Sequence, residues 1–472
     1  MEMPLIFVNG IRKAEPEKRK QIRKYVMMGK NRGKTRKAKP PKTTSQCDPG
    51  RSSEDQDGSS SLSIKMQYPV IPNKVGSELS FTQFAAPIEP SLMRDVLKFS
   101  LMSKKVMYPL ESCIQFHREN KVDTIWFDLM TYDAVYMHAI VFSSQVYSSR
   151  AYARGNATAA RWAVVHHSTT LQLLRERLAA QDEDAKVSDS TIFVVLCLAN
   201  IAHFISDYES ARHHLEGLRK IVDLRGGIYA FSYNTKLTIE LLKCDLGIAI
   251  YNGTNPLFFR DPSLEPLVPY ELASPTAQGP DSSKSKPYWN PTPSTINADL
   301  IRAWTVMTRF CSTINSAAKH GRRLPKETLL NATAAIMYRI LRMDNLDPAS
   351  MDEAVRLGLL AFASHIFLNY QGVKPSHTYL PETYRRCLIS LELVDTSSSY
   401  ILLWLLMVGG MALFDPMDDV WLLPWVQANI KLCGAHDWNE LRDQLKTFPW
   451  IDILHDKPGQ AIFDAAVSER VG

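Results

Sequence analysis

The 472-residue sequence lacks the motifs of the commonest cofactor and catalytic sites. No two of its seven cysteines stand at C-x-x-C spacing, the spacing typical of structural zinc sites. No glycine-rich loop opens a helix, which argues against a phosphate-binding loop. No G-x-S-x-G motif occurs, and no cysteine has an evident histidine partner. We therefore expect a protein that is not an enzyme, with no catalytic residue, metal site or cofactor.

The sequence also lacks an apolar run long enough to cross a membrane. The strongest candidate, YILLWLLMVGGMALF at residues 400–414, has 15 residues. A membrane-spanning helix needs about 20 residues. We therefore predict a buried core helix at this place and no membrane span.

Alternating apolar and polar runs, which mark strands, are scarce, and from about residue 91 onward the apolar residues follow the helical period. The predicted fold class is all-α, a large multi-helix domain preceded by a disordered basic N-terminal segment. The predicted helices are residues 90–107, 124–149, 158–180, 189–204, 237–252, 298–319, 326–342, 352–370, 382–393, 398–414, 418–432, 438–446 and 460–469.

We expect this domain to be organised around a helix pair between residues 188 and 227. The first helix, residues 189–204, is apolar on almost every side, so it is stable only when buried. Ser206 and Glu209 fit a capping box that starts the second helix, and the glycines at 226 and 227 end it. The predicted buried face of the second helix carries Ala211, Leu215, Leu218 and Val222, and its predicted solvated face carries Arg212, Glu216, Arg219 and Asp223.

Basic residues are concentrated in the first tenth of the chain. Residues 1–46 contain 14 lysines and arginines against three glutamates, whereas the remaining chain carries 41 basic against 46 acidic residues. We predict a basic segment with a short helix at residues 1–45, a disordered linker at 46–89 and a helical domain at 90–472. A proline-rich loop at about 271–296 interrupts the helical domain.

The basic segment supplies the candidate binding residues for nucleic acid or for a nuclear import receptor. Basic runs attract phosphates without reading bases, so contact with DNA through this segment is expected to be weakly specific. The alternative is a cytosolic helical scaffold whose basic arm binds RNA or an acidic membrane surface, and a solvated arm without a ligand is the simplest interpretation. The candidates are Arg19, Lys20, Arg23, Lys24, Lys30, Arg32, Lys34, Arg36, Lys37 and Lys39.

Three other groups of residues have simpler structural interpretations. His213 and His214 stand near Glu209, but no H-E-x-x-H motif occurs, so we predict an exposed polar helix face with one partly buried histidine and no metal site. Asp245 lies on a largely apolar helix, and a buried carboxylate needs a partner. Arg225 is the nearest candidate in sequence, so we predict an ion pair between them. The five tryptophans after residue 400 are predicted to be core residues and not a ligand cage.

An ordered set of short motifs runs along nearly the whole chain. The set consists of Phe7-Val8-Asn9, I-R-K-Y-V-M at 22–27, A-x-x-H-x-x-G at Ala211, His214 and Gly217, R-G-G at 225–227, Asp245, Pro256, L-W-L-L at 403–406 with Gly409-Gly410, and F-P-W-I-D at 448–452. In these motifs the chain resembles the fungal-specific transcription factor domain proteins. Within that family it resembles the group that lacks the zinc binuclear cluster and is often labelled "tachykinin family protein".

This resemblance implies an all-helical regulatory domain in a nuclear protein that regulates transcription. Typical members bind DNA through six cysteines around two zinc ions, and that motif is absent from this sequence. No DNA-reading residue carries over, therefore, and no functional residue of the helical domain does. We expect a non-enzymatic nuclear protein whose helical domain binds protein partners or senses an effector.

Overall fold

Helices supply almost all the regular structure in the part of the chain that the computed structural model describes, which confirms the all-α prediction. The described residues are 82–115, 125–151, 156–231, 235–259, 295–343, 345–368, 379–391 and 397–468. The predicted basic segment lies wholly outside these residues. Most of the predicted linker and nearly all of the proline-rich loop lie outside them too.

The helices follow one another with short connections. Helices α1–α8 are Pro90–Met107, Ile125–Tyr132, Ala134–Ala151, Ala157–Ala179, Glu183–Lys186, Asp189–Phe204, Tyr208–Leu224 and Thr235–Asn252. Helices α9–α17 are Ala298–Lys319, Glu327–Leu329, Ala335–Ile340, Met351–Phe367, Tyr379–Ser390, Ser397–Ala412, Asp419–Leu432, Trp438–Leu445 and Asp452–Ser468. The shorter elements are the 3-10 turns Ile228–Phe231 and Pro416–Asp418, the π-helical turn Leu330–Ala334, and the strands β1 (Ile114–Gln115) and β2 (Leu324–Pro325), which pair in parallel.

Several helix bounds agree with the sequence prediction to the residue, namely those of α1, α6 and α9. The predicted helix at 124–149 is instead two helices, because Asp133 interrupts it and accepts a hydrogen bond from the Tyr136 amide at 2.9 Å, which starts α3. The last helix begins at Asp452, well before the predicted residue 460, and it accommodates Pro458. Gly459 lets the Trp450 ring approach closely there, since an added Cβ would lie 3.0 Å from that ring.

Helix α8 contacts two groups of helices. In the first group α3 packs on α4 and α6, and α6 packs on α7. In the second group α14 packs on α12, α15 and α17, and α13 packs on α12. Helix α8 contacts α6 and α7 of the first group, and it contacts α13 of the second group together with the π-helical turn. One continuous apolar core includes residues from both groups and from α8.

The helix pair α6 and α7 forms as predicted, but its connection differs from the predicted capping box. Ser206 adopts a positive φ of 67°, and the Asp207 amide donates to the Ala202 carbonyl at 2.9 Å, which closes the end of α6. Asp207 is the residue that starts α7, because its Oδ1 accepts from the Ser210 amide at 3.1 Å. Because Ser206 occupies the left-handed turn, the cap moves to the next residue.

The predicted end of α7 is confirmed. Gly226 and Gly227 both have positive φ, and the Gly227 amide donates to the Val222 carbonyl at 2.9 Å. The predicted ion pair between Arg225 and Asp245 is wrong. Arg225 Nη1 instead donates to Asp189 Oδ1 at 2.5 Å, because the end of α7 returns to the start of α6. Arg225 therefore ties the two ends of the pair together.

The C-terminal apolar run is a core helix, as predicted. Residues 401–408 of α14 are all buried, and Trp404 Nε1 donates to the Pro449 carbonyl at 2.9 Å. Trp450 is also buried, whereas Trp421, Trp425 and Trp438 are half-buried against the same core. Within the described residues, one helical stretch, Glu183–Phe204, has the length and hydropathy of a membrane-crossing helix, and 72% of its most apolar window is buried inside the protein.

Candidate ligand-binding cleft

An open cleft of about 540 Å³ lies where the start of α7, the end of α8 and the start of α13 meet. Its volume falls in the range of small-molecule sites, roughly 300–1,000 Å³. The lining mixes apolar and polar side chains. The residues around it include Tyr208, Glu209, Arg212, Leu215, Asp245, Ile248, Tyr251, Asn252, Asn255, Leu257, Tyr379 and Glu382.

The first wall is the opening turn of α7, which the Asp207 cap orients. Tyr208 and Glu209 are the first two residues of that helix, and Arg212 lies one turn later. Arg212 Nε donates to Glu216 Oε1 at 3.1 Å, so its charge is already balanced within α7. The exposed charges of this wall are therefore a paired arginine and the carboxylate of Glu209.

Asp245 lies behind the cleft floor and holds the segment after α8 in place. Its side chain is completely buried. Its Oδ1 accepts from the Leu257 amide at 2.6 Å, and its Oδ2 accepts from the Phe258 amide at 2.9 Å. The Tyr338 hydroxyl of α11 donates to the same Oδ2 at 2.7 Å. Three donors thus replace the water that burial removes from this carboxylate.

Burial raises the pKa of Asp245 to about 6, although its hydrogen bonds to the Leu257 and Phe258 amides and to Tyr338 act in the opposite direction. Arg219 also favours the ionised form. At neutral pH the carboxylate is therefore charged, and both of its oxygens are engaged by donors. It therefore serves as an anchor for the chain.

Arg219 belongs to this anchor and not to a solvated helix face, which corrects the sequence prediction. Its side chain is 23% exposed, compared with 55% for Arg212. Arg219 Nε donates to Asp223 at 2.7 Å, and Nη1 donates to the Leu257 carbonyl at 2.8 Å. Its guanidinium carbon lies 5.6 Å from the centre of the Phe258 ring. The dipeptide that Asp245 holds by its amides is thus also held by Arg219.

The second wall depends on a glycine. Gly253 follows α8 with φ of 64°, and the Thr254 amide donates to the Ala249 carbonyl at 2.9 Å. The ring of Tyr379, at the start of α13, covers Gly253 so closely that an added Cβ would lie 2.4 Å from it. Only glycine allows this contact and this φ together. Glu382 lies one turn further along α13, at the same border of the cleft.

An aromatic group continues the cleft lining into the protein. Tyr251 is on the last turn of α8, and burial raises its pKa to about 12, so its phenol is neutral at physiological pH. The ring of His203 lies 5.4 Å from the Tyr251 ring and 6.4 Å from the Tyr208 ring, measured between centroids. Two of the three tyrosines that line the cleft are therefore connected through a buried histidine.

A second group of titratable residues lies between α3 and α4. The Nδ1 atoms of His138 and His166 are 2.8 Å apart, so the two rings share one proton. Burial, helped by His138, lowers the pKa of His166 to about 4. His213 is exposed and His214 is half-buried, which agrees with the prediction of one partly buried histidine on this helix face. Among the described residues, no group of three or more histidine, cysteine or carboxylate side chains could hold a metal ion.

Burial raises the pKa of five of the six described cysteine thiols. Cys113, Cys244, Cys311, Cys387 and Cys433 are buried, and Cys197 is half-buried. Burial raises the pKa of the Cys197, Cys387 and Cys433 thiols to about 12 in each case. A thiol with such a pKa is protonated near neutral pH, and the thiolate is the nucleophilic form. These residues behave as small apolar core side chains.

The sequence identified parts of this region and missed the cleft itself. It identified Asp245 as a buried carboxylate and Arg212 as an exposed side chain, but it missed the role of Tyr208, Tyr251 and Tyr379. The available signal was the glycine at 253, directly after a predicted helix end. The ten basic candidate residues between Arg19 and Lys39 lie outside the described residues, so the structure does not place them.

Comparison of this chain with protein-family models, with curated proteins and with solved structures finds no match in any of the three.

Proposed function

We propose that the chain is a non-enzymatic nuclear protein that regulates transcription. In this proposal residues 1–45 provide nuclear targeting and contact with DNA phosphates, and the helical body binds protein partners or a small effector. The observation that carries the proposal is the division of charge, with 14 basic residues before residue 47 and a mildly acidic remainder. The motif resemblance described above supports the same role.

The chemistry of the cleft favours reversible binding over catalysis. Asp245, the carboxylate at its floor, is buried and engaged by three donors, so it has no position from which to exchange a proton with a ligand. Glu209 and Glu382 are exposed carboxylates at its border. Such a site can select a ligand by charge and shape, as an effector-binding domain requires.

The nuclear role is tested by neutralising part of the basic segment. Lys30, Arg32, Lys34, Arg36, Lys37 and Lys39 are replaced together by glutamine in a fluorescently tagged full-length chain. We expect the variant to leave the nucleus, because an import receptor binds such a run by charge. The matched control replaces six exposed basic residues of the helical body, namely Arg161, Arg175, Lys220, Arg309, Lys431 and Lys457.

Nuclear retention of the first variant would contradict the targeting role of the segment. An equal loss of nuclear localisation in both variants would contradict it too. A cytoplasmic wild-type chain that sediments with acidic vesicles or RNA favours the scaffold alternative.

Contact with DNA is measured separately, with one candidate duplex and one random duplex over a range of salt concentrations. We expect binding that weakens steeply with salt and discriminates little between duplexes. Salt-tolerant binding with a large penalty for each mismatch would contradict a phosphate-only contact.

A further inference from the structure

We propose that the cleft between α7, α8 and α13 binds a small organic ammonium cation. This inference rests on the proposed effector-binding role of the helical body, and it assigns a ligand class to that role. Two independent features of the cleft carry it: its carboxylates, which have no ion-pair partner among the described residues, and its tyrosine rings.

The charge of the cleft is negative. Within the part of the chain that the structure describes, neither Glu209 nor Glu382 has an ion-pair partner, and both are exposed at the cleft border. Among the described lining residues, the one cationic side chain is Arg212, which is paired with Glu216 at 3.1 Å. Asp245 adds a further negative charge behind the floor. A cationic ligand therefore meets two available carboxylates, whereas an anion would meet only a cation that is already paired.

The helix ends do not reverse this balance. The starts of α7 and α13 each contribute about half a positive elementary charge, and the end of α8 contributes about half a negative one. Each of the two starts carries its own glutamate in the first turn, Glu209 and Glu382 respectively. The carboxylates outweigh the helix starts by about one elementary charge in total, and the end of α8 adds to the excess.

The rings of the cleft favour an organic cation over a metal ion. Tyr208, Tyr251 and Tyr379 contribute three aromatic side chains to one lining. The face of an aromatic ring attracts an ammonium group, and aromatic sites of this kind recognise quaternary ammonium ligands. Tyr379 is 49% exposed and is held in place by its contact with Gly253, so its ring is both available and fixed. The volume of about 540 Å³ suits a small molecule.

The test compares two probes of the same shape with the purified full-length chain. Choline carries a trimethylammonium group, and dimethylbutanol is its uncharged isostere, with carbon in place of nitrogen. We expect choline to bind with an affinity at least about tenfold higher, measured by calorimetry and by saturation-transfer NMR. Equal affinities, no binding of choline at millimolar concentration, or preferential binding of acetate would each overturn the proposal.

Variants then place the binding in this cleft. We expect Glu209→Gln combined with Glu382→Gln to weaken choline binding about tenfold or more, since each carboxylate contributes roughly a fivefold effect near the surface. The matched control, Glu176→Gln combined with Glu327→Gln, removes the same charge from two exposed glutamates outside the cleft and should bind choline normally. Tyr379→Leu should weaken binding, and Tyr379→Phe should preserve it because the ring remains. Equal binding by both double variants would exclude the cleft.

Vesicles of phosphatidylcholine, which carry the same headgroup, distinguish a free ligand from a lipid. We expect no co-sedimentation, because the carboxylates and rings surround a recess and not a flat surface. Co-sedimentation without binding of free choline would overturn the assignment of a soluble ligand. These measurements use purified protein, so their failure leaves the nuclear proposal intact, and cytoplasmic location of the chain would leave the ammonium site intact.

Discussion

The two central helices, α6 and α8, are buried to a similar extent but in different chemical ways. Eleven of the 16 residues of α6 are apolar, and its only charged residue, Asp189, stands at its first position. Helix α8 buries three ionisable side chains, Glu240, Lys243 and Asp245, each less than 5% exposed. The comparison shows two ways of fixing a central helix in the core. Helix α6 is fixed mainly by the packing of apolar side chains, and α8 is fixed by specific partners of its buried charged side chains.

Each buried charge of α8 has a defined neighbour. The Tyr108 hydroxyl donates to Glu240 Oε1. Lys243 Nζ lies 4.5 Å from the centre of the Tyr108 ring and 5.6 Å from the centre of the Phe367 ring. Burial lowers the pKa of Lys243 to about 8, while Glu240 favours its charged form. A buried charge is tolerated only where such partners are present.

This difference matters because α8 is the helix that contacts both helix groups. The partners of its charged residues come from Tyr108 after α1, from Phe367 at the end of α12 and from Tyr338 in α11. Apolar contacts are non-directional and tolerate sliding, whereas hydrogen bonds to a buried charge fix both position and orientation. We infer that α8 sets the relative placement of these segments, and that α6 mainly supplies buried apolar area.

The largest effect is expected at Asp245. Asp245→Ala leaves two backbone amides and the Tyr338 hydroxyl without their acceptor at a buried position. We expect the free energy of unfolding to fall by about 3–5 kcal/mol at pH 7, measured by urea denaturation. The control, Asp223→Ala, removes a half-exposed carboxylate and should cost well under half as much. A loss at Asp245 no larger than at Asp223 would show that α8 does not depend on its buried partners.

The second effect tests the apolar helix pair. Leu218 of α7 is completely buried in the helix that packs on α6. We expect Leu218→Ala to lower the free energy of unfolding by about 2–5 kcal/mol, because it removes apolar contacts and leaves a cavity. Leu218→Met keeps the volume and should cost less than about 1.5 kcal/mol. Lys220→Ala, at an exposed position, should have almost no effect. If the methionine variant were as unstable as the alanine variant, the stability of the pair would not depend on the buried side-chain volume at position 218.

The third effect is the pH dependence of stability that Asp245 of α8 contributes. The pKa of Asp245 is raised from 3.8 to about 6 in the fold, so the folded chain binds more protons than the unfolded chain between these values. The stability from this group is full below pH 4 and is lost as the pH rises to about 6, by roughly 3 kcal/mol in total at 1.36 kcal/mol per pKa unit.

This dependence is measured as a difference between two proteins, because other groups titrate in the same range. Burial lowers the pKa of His166 to about 4, and that of His365 to the same value, which gives a slope of the opposite sign. Asp245→Asn keeps the shape and removes the titration. We expect the stability advantage of the wild type over this variant to shrink between pH 4 and pH 7. A constant difference would show that the fold does not raise the pKa of Asp245.

The local parts of this structure followed from the sequence, and the long-range parts did not. The bounds of α6 depend on its continuous apolar run and on Ser188, whose side chain caps the helix from an adjacent position. Asp245 was recognisable as a buried carboxylate for the same local reason. Its partners were not, since Leu257 lies in an irregular segment and Tyr338 is 93 residues away. The cleft was unpredictable because three separate helices meet there.

The smallest effect is expected at Arg219, where sequence and structure disagree most directly. Periodicity on α7 predicts a solvated side chain, and removal of such a side chain would change stability by less than about 0.5 kcal/mol. The structure instead places its Nη1 2.8 Å from the Leu257 carbonyl and its guanidinium over the Phe258 ring. We expect Arg219→Ala to cost about 1–2 kcal/mol, mostly through this charge-assisted hydrogen bond, since the half-exposed pair with Asp223 contributes little.

The same measurement made in the Asp245→Ala background decides whether Arg219 acts with α8. Both residues hold the dipeptide Leu257-Phe258, one through its amides and the other through its first carbonyl. If the dipeptide is released when Asp245 is lost, Arg219→Ala should have less effect in that background, with a coupling free energy of about 0.5–2 kcal/mol in a double-mutant cycle. Arg212→Ala, also on α7 but 55% exposed, should show no such coupling. Strict additivity at Arg219 would mean that this segment is held independently by α7 and α8.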